Sequence, residues 1–231
     1  MKFDPPLVEA RLIRRYKRFL TDAVLPDGTE VTAHCANPGA MLGLNAPDSP
    51  IWLQPATNPK RKLKWSYAMT RDQGAMVGCH PALANDLVAE GFANGTITAF
   101  GDPGEIRREV KYGQNSRIDF LLGDGTHVEV KNIHLMRTPG LAEFPDCKTA
   151  RGAKHLGELA ELARAGTPAA VLYVVQRADC DRVTVAADLD PAYAQAAQAA
   201  AQTGVRFVAH QCLVDLQEIR LGKEIEYIPT A

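Results

Sequence analysis

Hydrophobic and polar positions alternate along three short stretches in the middle of the chain, residues 106–111, 117–122 and 126–131. This alternation, interrupted by the turn-forming triplets GQN and GDG, predicts three antiparallel β-strands. Three-residue loops at Gly113–Asn115 and Gly123–Gly125 would place the apolar side chains on one face of the meander and the charged ones on the other. A slip of one residue in either hairpin would mix the two faces, so the sorting supports this register.

The predicted register brings three carboxylates into a row, because Glu109 lies opposite Asp119 and Asp119 lies opposite Glu129. The apolar face consists of Ile106, Val110, Ile118, Phe120, Leu122, Val128 and Val130. The charged face consists of Glu109, Lys111, Arg117, Asp119, Glu129 and Lys131. Neighbouring strands lie about 4.8 Å apart, and carboxylates that close cannot all remain ionised without protons, basic neighbours or a metal ion.

The carboxylate row predicts either a catalytic metal site or an ordinary charged surface. Oxygen ligands at this spacing suit a hard cation such as Mg²⁺ or Mn²⁺. Lys131 points the same way as Glu129, two residues earlier, and could hold an attacking water or stabilise a developing negative charge. The alternative is a solvent-exposed sheet face with cross-strand ion pairs.

Three helices are predicted around the meander. Ala82–Phe92 carries apolar residues at helical spacing, and Thr149–Gly166 begins at an N-cap threonine and ends at a glycine. Pro191–Gln202 is alanine-rich and starts with proline. Ala169–Gln176 is apolar without alternation, which is typical of a buried strand, and Val205–Ala209 is predicted as a further strand.

The remaining segments complete an α-β-β-β-α-β-α-β order in the second half, which predicts a mixed sheet flanked by helices. Residues 132–148 are expected to be irregular and to line the site as a loop. Leu213–Ile228 is expected to form one or two edge strands. The face of the second helix that carries Arg151, Lys154 and His155 either offers cations to a phosphate or is simply solvated.

The first half contains many short strands separated by Gly and Pro turns, which predicts a small β-barrel ending near Gly78–Pro81. Two basic stretches carry interleaved aromatic residues, as surfaces that bind single strands or phosphate backbones require. They comprise Arg11, Arg14, Arg15, Tyr16, Lys17, Arg18 and Phe19, and the run Lys60–Trp65. A soluble barrel exterior would have the same composition.

Composition and charge change this picture little. The chain has 231 residues, is 46% hydrophobic and 23% charged, and carries a net charge of −1, which is typical of a globular protein with one large or two small domains. Residues 1–83 have eleven Lys and Arg against seven Asp and Glu, or +4, whereas residues 84–231 have fifteen against twenty, or −5. The asymmetry indicates that the first half is the better match for a polyanion.

The cysteine pattern and the N-terminus favour a cytoplasmic protein. The first ten residues have no apolar signal-peptide core, and the longest apolar run, Ala169–Val175, is too short to cross a membrane. Five cysteines without CxxC spacing predict reduced thiols. A zinc site built from His34-Cys35 and Cys79-His80 is disfavoured because the pairs are adjacent rather than spaced.

The order of Asp119, Glu129-Val130-Lys131 and a basic helix resembles the PD-(D/E)xK nuclease fold. A closer resemblance, over essentially the whole chain, is to the sugar fermentation stimulation protein A family. It rests on His34-Cys35-x-Asn37-x-Gly39-x-Met41, Ser116–Phe120, Val128–Asn132, Phe144–Asp146 and Arg151-Gly152-x-x-His155-Leu156. The resemblance implies an OB-like barrel over residues 1–80 and a nuclease-like α/β domain over 81–231. Members of the family are described as DNA-binding and linked to the regulation of sugar use.

The meander and the resemblance together give a candidate site. Asp119, Glu129 and Lys131 are the expected catalytic residues, and Asp119, Glu129, Glu109 and Asn85 are the expected ligands of Mg²⁺ or Mn²⁺. The expected phosphate and nucleic-acid contacts are Arg117, Arg151, Lys154, His155, Arg14, Arg15, Lys17, Arg18, Lys62 and Lys64. Two positions depart from the wider nuclease pattern, because Ile118 replaces the proline and Asn85 stands where the first helix usually has an acid.

Three functions follow as hypotheses. The first is a nucleic-acid-binding protein, with DNA as the expected partner, that cleaves phosphodiesters with a divalent metal. The alternative is a non-cleaving, non-specific DNA-binding regulator of sugar metabolism genes, whose affinity would fall steeply with salt. A weaker third is a protein that binds small anions or sugar phosphates. No membrane partner is expected, and the sequence leaves strandedness and oligomeric state open.

Overall fold

The first half of the chain forms the predicted barrel. The computed structural model describes residues 1–112 and 116–229, so the predicted loop at Gly113–Asn115 lies outside the described residues. The strands are β1 (Val8–Tyr16), β2 (Leu20–Val24), β3 (Glu30–His34), β4 (Pro50–Pro55), β5 (Trp65–Asp72) and β6 (Ala75–Gly78). They are ordered β3-β2-β1-β4-β5-β6, and a parallel pairing of β3 with β5 closes the first five into an OB-like barrel.

The barrel closes around inward-facing apolar side chains. Leu12, Ile51, Leu53 and Tyr67 are buried in one cluster with Met41 from the loop that follows β3. Buried and less buried residues alternate along β1 and β2, whereas β4 and β5 also bury Trp52, Ala68 and Met69 in a second cluster. The outward positions of β1 carry the exposed Arg11 and Arg14.

The second half of the chain, from residue 83 onward, builds a mixed sheet with helices on both faces. Its helices are α1 (Leu83–Ala93), α2 (Ala150–Arg164) and α3 (Pro191–Gln202). Its strands are β7 (Arg107–Tyr112), β8 (Ser116–Leu121), β9 (His127–Ile133), β10 (Leu135–Thr138), β11 (Gly140–Phe144), β12 (Ala169–Val175), β13 (Cys180–Val185), β14 (Arg206–Val214) and β15 (Ile219–Ile228). Over the described residues the strand order is β10-β11-β13-β15-β14-β12-β9-β8-β7.

Two hydrophobic cores lie on opposite sides of this sheet. One core holds α2 and α3 against the sheet through residues such as Leu156, Leu159 and Tyr193. The other holds α1 through Leu87 and Phe92. β12 is buried along its whole length between β9 and β14, both of which run parallel to it. The predicted flanking of a mixed sheet by helices is thus confirmed.

The cap of α2 is the one the sequence predicts, and α3 begins at the predicted proline. The hydroxyl of Thr149 accepts a hydrogen bond of 3.1 Å from the backbone N–H of Gly152. Asp190 accepts one from the N–H of Tyr193, and Pro191 occupies the first turn of α3. Such caps satisfy donors that a helix start leaves unpaired, and they fix where α2 begins beside the candidate site.

The predicted meander forms, with one important irregularity. Val110 pairs with Ile118 and Phe120 pairs with Val128, as the register requires. The β8–β9 ladder contains only two pairs, however, and it opens at Asp119. The predicted apolar face is therefore wrong as a single surface. Ile118 belongs to the core under α2 and α3, whereas Phe120, Leu122, Val128 and Val130 belong to the core under α1.

Two further predictions about the sheet are wrong, and one strand was missed. Residues 132–148 contain the hairpin of β10 and β11 rather than only irregular chain. Leu213–Ile228 does not form an edge, because β15 lies between β13 and β14. β13 was not predicted, because its polar and apolar residues do not stand out from the surrounding loop.

The barrel and the sheet are joined by polar contacts as well as packing. Arg177 has no exposed surface and binds Asp72 on β5 at 3.0 Å and Asp179 at 2.6 and 2.7 Å. Its Nη1 also donates to the carbonyl of His134 at 3.1 Å. The N–H of Met41, in the barrel, donates to Asp146 at 2.7 Å. Separately, among the described residues, no helix is both long and apolar enough to cross a membrane.

Candidate functional site

Asp119 lies where β8 separates from β9, and its carboxylate replaces a missing ladder contact. Its Oδ2 accepts a hydrogen bond of 2.7 Å from the backbone N–H of Val130, and its Oδ1 accepts one of 2.8 Å from Asn85 on α1. Burial raises the pKa of Asp119, and the negative charge of Glu129 raises it further. The structure thus places the two carboxylates close enough for their charges to interact.

Glu129 is buried on β9 and is held by two donors. Lys131 Nζ donates to Glu129 Oε1 at 2.6 Å, and His155 Nδ1 donates to the same oxygen. Burial tends to raise the pKa of Glu129, but the hydrogen bond from His155 and the charge of Lys131 outweigh it, so the pKa is lowered. Glu129 is therefore ionised at neutral pH.

A chain of donors runs from α2 to the carboxylate. Arg151 Nε donates to His155 Nε2 at 3.3 Å, while His155 Nδ1 donates to Glu129. The ring of His155 thus lies between Arg151 and the carboxylate of Glu129. His155 therefore orients Glu129, and the positive charge of Arg151 lies on the far side of the ring.

The second carboxylate oxygen of Glu129 has no partner among the described residues. Oε2 is buried and accepts no hydrogen bond. A buried carboxylate oxygen without a donor costs free energy, because water is lost and nothing replaces it. An open acceptor beside a second carboxylate is the arrangement that a cation would complete.

The other two expected ligands are placed differently. Asn85 turns its amide nitrogen to Asp119, so it positions that carboxylate as a donor. Glu109 is exposed, has a backbone φ of +53° and makes no polar contact with a described residue. The row of three carboxylates therefore does not form. Over residues 1–112 and 116–229, no group of three or more His, Cys, Asp or Glu side chains is arranged to hold a metal.

Four of the predicted phosphate contacts converge on one concave surface. Arg117, Arg151, Lys154 and His155 line a depression of about 490 Å³ together with Ser116 and Ala150. Arg151 and Lys154 are exposed, and His155 forms the inner wall through its contact with Glu129. We refer to this surface as the basic concavity.

Three residues at the site were missed as functional candidates. Glu158 on α2 accepts hydrogen bonds from Ser116 Oγ at 2.9 Å and from Tyr112 OH at 3.2 Å, and it forms an ion pair with Lys154. Burial raises the pKa of Tyr112, and the charges of Glu129 and Glu158 add to this effect. The pairing of β7 with α2 through these groups is a tertiary feature that no local pattern signals.

Several of the barrel cations bond within the barrel, and others are exposed. Arg14 pairs with Asp22, and Arg15 donates to the carbonyls of Arg18 and Asn37. Lys64 donates to the carbonyl of Pro59. Lys17, Arg18 and Lys62 are exposed. The first two lie in the β1–β2 turn with φ of +50° and +66°.

Comparison with known families gives two matches that together span most of the chain. The family model described as the sugar fermentation stimulation protein N-terminal OB domain matches residues 13–79. The model described as the sugar fermentation stimulation protein RE domain matches residues 82–218.

Curated relatives and a solved structure agree with these matches. A sugar fermentation stimulation protein homolog from Rhodospirillum centenum is 53% identical over 97% of this chain and 98% of its own length. One from Jannaschia sp. is 55% identical over 91% of this chain and 90% of its own length. The structure of Pyrococcus furiosus SfsA in complex with Ca²⁺ is similar with a TM-score of 0.89, at 24% identity, over 99% of this chain and 98% of that one. At this identity the structural similarity establishes the fold.

Proposed function

The chain belongs to the sugar fermentation stimulation protein family, and from the geometry of its site we propose that it is a divalent-metal-dependent phosphodiesterase acting on nucleic acid, with DNA as the first substrate to test. The observation that carries this proposal is the pairing of Asp119 with Glu129, whose buried Oε2 is unpartnered, while Lys131 lies 2.6 Å from its other oxygen. Two carboxylates, a lysine and a basic wall are the groups that phosphodiester hydrolysis needs.

The residues present fit a metal ion. Asp119 and Glu129 would hold it, since both are buried enough to repel each other and one has a free buried oxygen. Asn85 and Glu109 remain weaker candidates, because the first donates to Asp119 and the second is exposed. Mg²⁺ or Mn²⁺ in this position would polarise a phosphoryl oxygen and lower the pKa of a water molecule. The Ca²⁺ complex of the Pyrococcus relative supports an oxygen-ligand site in this fold.

The chain's own residues would divide the remaining work. Lys131 supplies a positive charge and up to three N–H donors beside the carboxylates, suited to holding a water or a developing oxyanion. Arg151 and Lys154 are exposed in the basic concavity and would bind the phosphates on either side of the reacting one. His155 keeps Glu129 ionised and fixes its orientation through the hydrogen bond to Oε1.

A second candidate function is binding without cleavage. It is favoured because three of the four carboxylate oxygens already accept hydrogen bonds. Asn85 and Val130 each donate to one oxygen of Asp119, and Lys131 and His155 both donate to Glu129 Oε1. A cation would have to displace some of these donors. A non-cleaving protein would use the same basic concavity to regulate sugar metabolism genes, with affinity that falls steeply with salt.

The deciding experiment measures cleavage and binding on the same variants. Single-stranded, branched and duplex DNA, and RNA of the same sequence, are incubated with the protein and Mn²⁺. Lys131→Ala should slow cleavage by about 10²–10⁴-fold, the range for loss of a group that moves or stabilises charge, and leave the dissociation constant within about threefold.

Lys111→Ala is the matched control, because Lys111 is an exposed lysine on β7, two strands from β9, and does not line the basic concavity. It should cleave at the wild-type rate. If the wild type binds DNA in a salt-dependent way but cleaves it in none of the metals tested, the binding function is correct and the enzymatic function is not. Parallel loss of cleavage and binding in Lys131→Ala would refute the role given to this lysine.

A further inference from the structure

A second cavity lies between the barrel and the sheet, and the mechanism above does not use it. It has a volume of about 320 Å³ and is open to solvent on one side. Its walls come from the loop after β3, Pro81 two residues before α1, the end of β9 and the segment between β11 and α2. We refer to it as the interdomain cleft.

Four ring side chains form the apolar part of the interdomain cleft. Pro38 and Pro81 lie on the side of the barrel and α1, and Phe144 and Pro145 lie on the side of the sheet. Such apolar side chains can pack against an apolar or aromatic ligand. The volume is at the low end of the range for small-molecule sites, about 300–1,000 Å³.

A rigid polar network forms the floor. Asn37 donates to His134 Nδ1 at 3.4 Å, and His134 Nε2 donates to Asp146 at 3.2 Å. Asp146 also accepts from the N–H of Met41, and Asn37 accepts from the N–H of Gly39. Because both domains contribute to this network, the floor forms only when the barrel and the sheet are docked.

Two polar atoms are left over for a ligand. Asn132 accepts a hydrogen bond from Gln176 on its oxygen, which fixes the amide and leaves Nδ2 without an acceptor among the described residues. Of the two carboxylate oxygens of Asp146, only Oδ2 accepts hydrogen bonds from N–H donors. Its other neighbour is the thiol of Cys147, a weak donor. The cleft therefore presents one free donor and one acceptor beside its apolar side chains.

The rim is positive and leads to the candidate active site. Arg18 and Lys148 line the cleft, and both are exposed. Lys148 comes just before α2, whose first turn carries Arg151 into the basic concavity. Asn132 follows Lys131 directly on β9, but the two side chains point to opposite faces of the sheet, so the segment from Lys148 to Arg151 is what links the cleft to the basic concavity.

From these features we propose that the interdomain cleft binds one unstacked nucleotide of a single-stranded nucleic acid, next to the phosphate held in the basic concavity. The proposal rests on the proposed function, since it names the substrate class of the same site. Apolar side chains with one donor and one acceptor match a nucleobase, and the rim cations match its phosphate. Phe19, 51% exposed and adjacent to Arg18, offers a stacking surface to the next base.

A paired base does not fit this cleft. In a duplex both faces of the base are stacked and its hydrogen-bonding edge is occupied, so it would have to be extruded at a cost of a few kcal/mol. An unpaired base enters without that cost. The single strand should therefore bind at least tenfold more tightly than the duplex of the same sequence.

The test measures binding in EDTA, so that no cleavage interferes. The probe is a single-stranded oligonucleotide that carries 2-aminopurine, whose fluorescence rises when the base leaves the stack, and the comparison is the same strand annealed to its complement. Lys148→Glu should weaken single-strand binding by about tenfold and reduce the slope of log K against log salt by about 0.7, as loss of one phosphate contact does. Lys223→Glu, at an exposed lysine on β15 outside both cavities, is the matched control and should stay within twofold.

A second pair of variants addresses the base itself. Asn132→Asp keeps the oxygen that accepts from Gln176 but replaces the free donor, so the protein should fold and the 2-aminopurine signal should fall at least fivefold. Asn94→Asp makes the same charge change at an exposed residue after α1 and should leave the signal intact. Equal affinity for single strand and duplex, or equal behaviour of Lys148→Glu and Lys223→Glu, would overturn the proposal. Cleavage in Mn²⁺ is scored separately, so a cleft that binds single strands without hydrolysis would refute only the proposed function.

Discussion

Removing the guanidinium of Arg177 should weaken the attachment of the barrel to the sheet and lower the free energy of unfolding. Arg177→Met keeps most of the apolar stem and deletes all the N–H donors. The residue has no exposed surface and makes four hydrogen bonds, two to Asp179, one to Asp72 and one to the carbonyl of His134. Loss of the cation leaves two carboxylates and one carbonyl without their partner.

The expected cost follows from the burial of these partners. Breaking a fully buried ion pair costs about 3–5 kcal/mol. The side chains of Asp72 and Asp179 are 18% and 27% exposed, so water can recover part of that loss. We therefore expect a decrease in the free energy of unfolding of about 3 kcal/mol, at the low end of the range. For a chain of this size that lowers Tm by about 6–12 °C.

The assay is thermal unfolding followed by circular dichroism, with Arg182→Met as the control. Arg182 is an arginine on β13 whose side chain is 44% exposed and pairs with Asp181, so its loss should cost less than about 0.5 kcal/mol. A double-mutant cycle with Asp72→Asn should give a coupling energy of about 1 kcal/mol or more. If Arg177→Met melts within 2 °C of Arg182→Met, the buried arginine does not hold the two halves together and this reasoning is wrong.

Three further predictions concern the polar network and the site. Gly39→Ala would place a Cβ 2.5 Å from Asp146 Oδ2, so it should lower the free energy of unfolding in urea by about 1–3 kcal/mol. Gly157→Ala is the control, because a Cβ there lies in open space on α2, and it should raise the free energy of unfolding by about 0.5–1 kcal/mol. Burial tends to raise the pKa of Asp146, but its hydrogen bond with His134 outweighs this, so the native pKa lies below the unfolded value of 3.8. The resulting stability is present above that value and is lost as pH falls through the native pKa, so Asp146→Asn should remove this part of the acid sensitivity in melts from pH 5 downward. His155→Ala should slow metal-dependent cleavage by about 10–100-fold, as loss of a group that orients a ligand does, and an unchanged rate would contradict its role.

Local patterns predicted those parts of the fold that local forces determine. Alternation fixed the pairing of Val110 with Ile118 and of Phe120 with Val128, because a slipped register would have buried charges. Thr149 marked the start of α2 because its hydroxyl caps the helix by itself. The barrel followed from many short strands with Gly and Pro turns.

The errors concern features set by distant contacts. β15 has the composition of an edge strand, but the order of strands places it between β13 and β14, which no local period encodes. The hairpin of β10 and β11 was not predicted, because Pro139-Gly140 was interpreted as a turn within an irregular segment. The separation of β8 from β9 depends on a side chain, Asp119, that bonds to the backbone of a neighbouring strand.

The same irregularity explains why the row of three carboxylates became a pair. The carboxylate of Asp119 accepts a hydrogen bond from the N–H of Val130, and at this point β8 separates from β9. Alternation along β8 therefore does not predict in which of the two cores Ile118 is buried. Glu109, opposite this point, adopts a left-handed backbone and faces solvent. Sequence periodicity assumes a continuous ladder, so it fails at the position where the ladder is broken to expose functional groups.

The network that joins the two domains also shapes the candidate substrate path. Arg177 holds the carbonyl of His134, the ring of His134 holds Asp146, and Asp146 holds the N–H of Met41 in the barrel. Docking of the domains and formation of the interdomain cleft are therefore one event. It follows that variants at the floor of the cleft will change stability and binding together, whereas variants at its exposed rim, such as Lys148→Glu, will change binding alone. Rim variants are for that reason the ones that can separate a role in recognition from a role in folding.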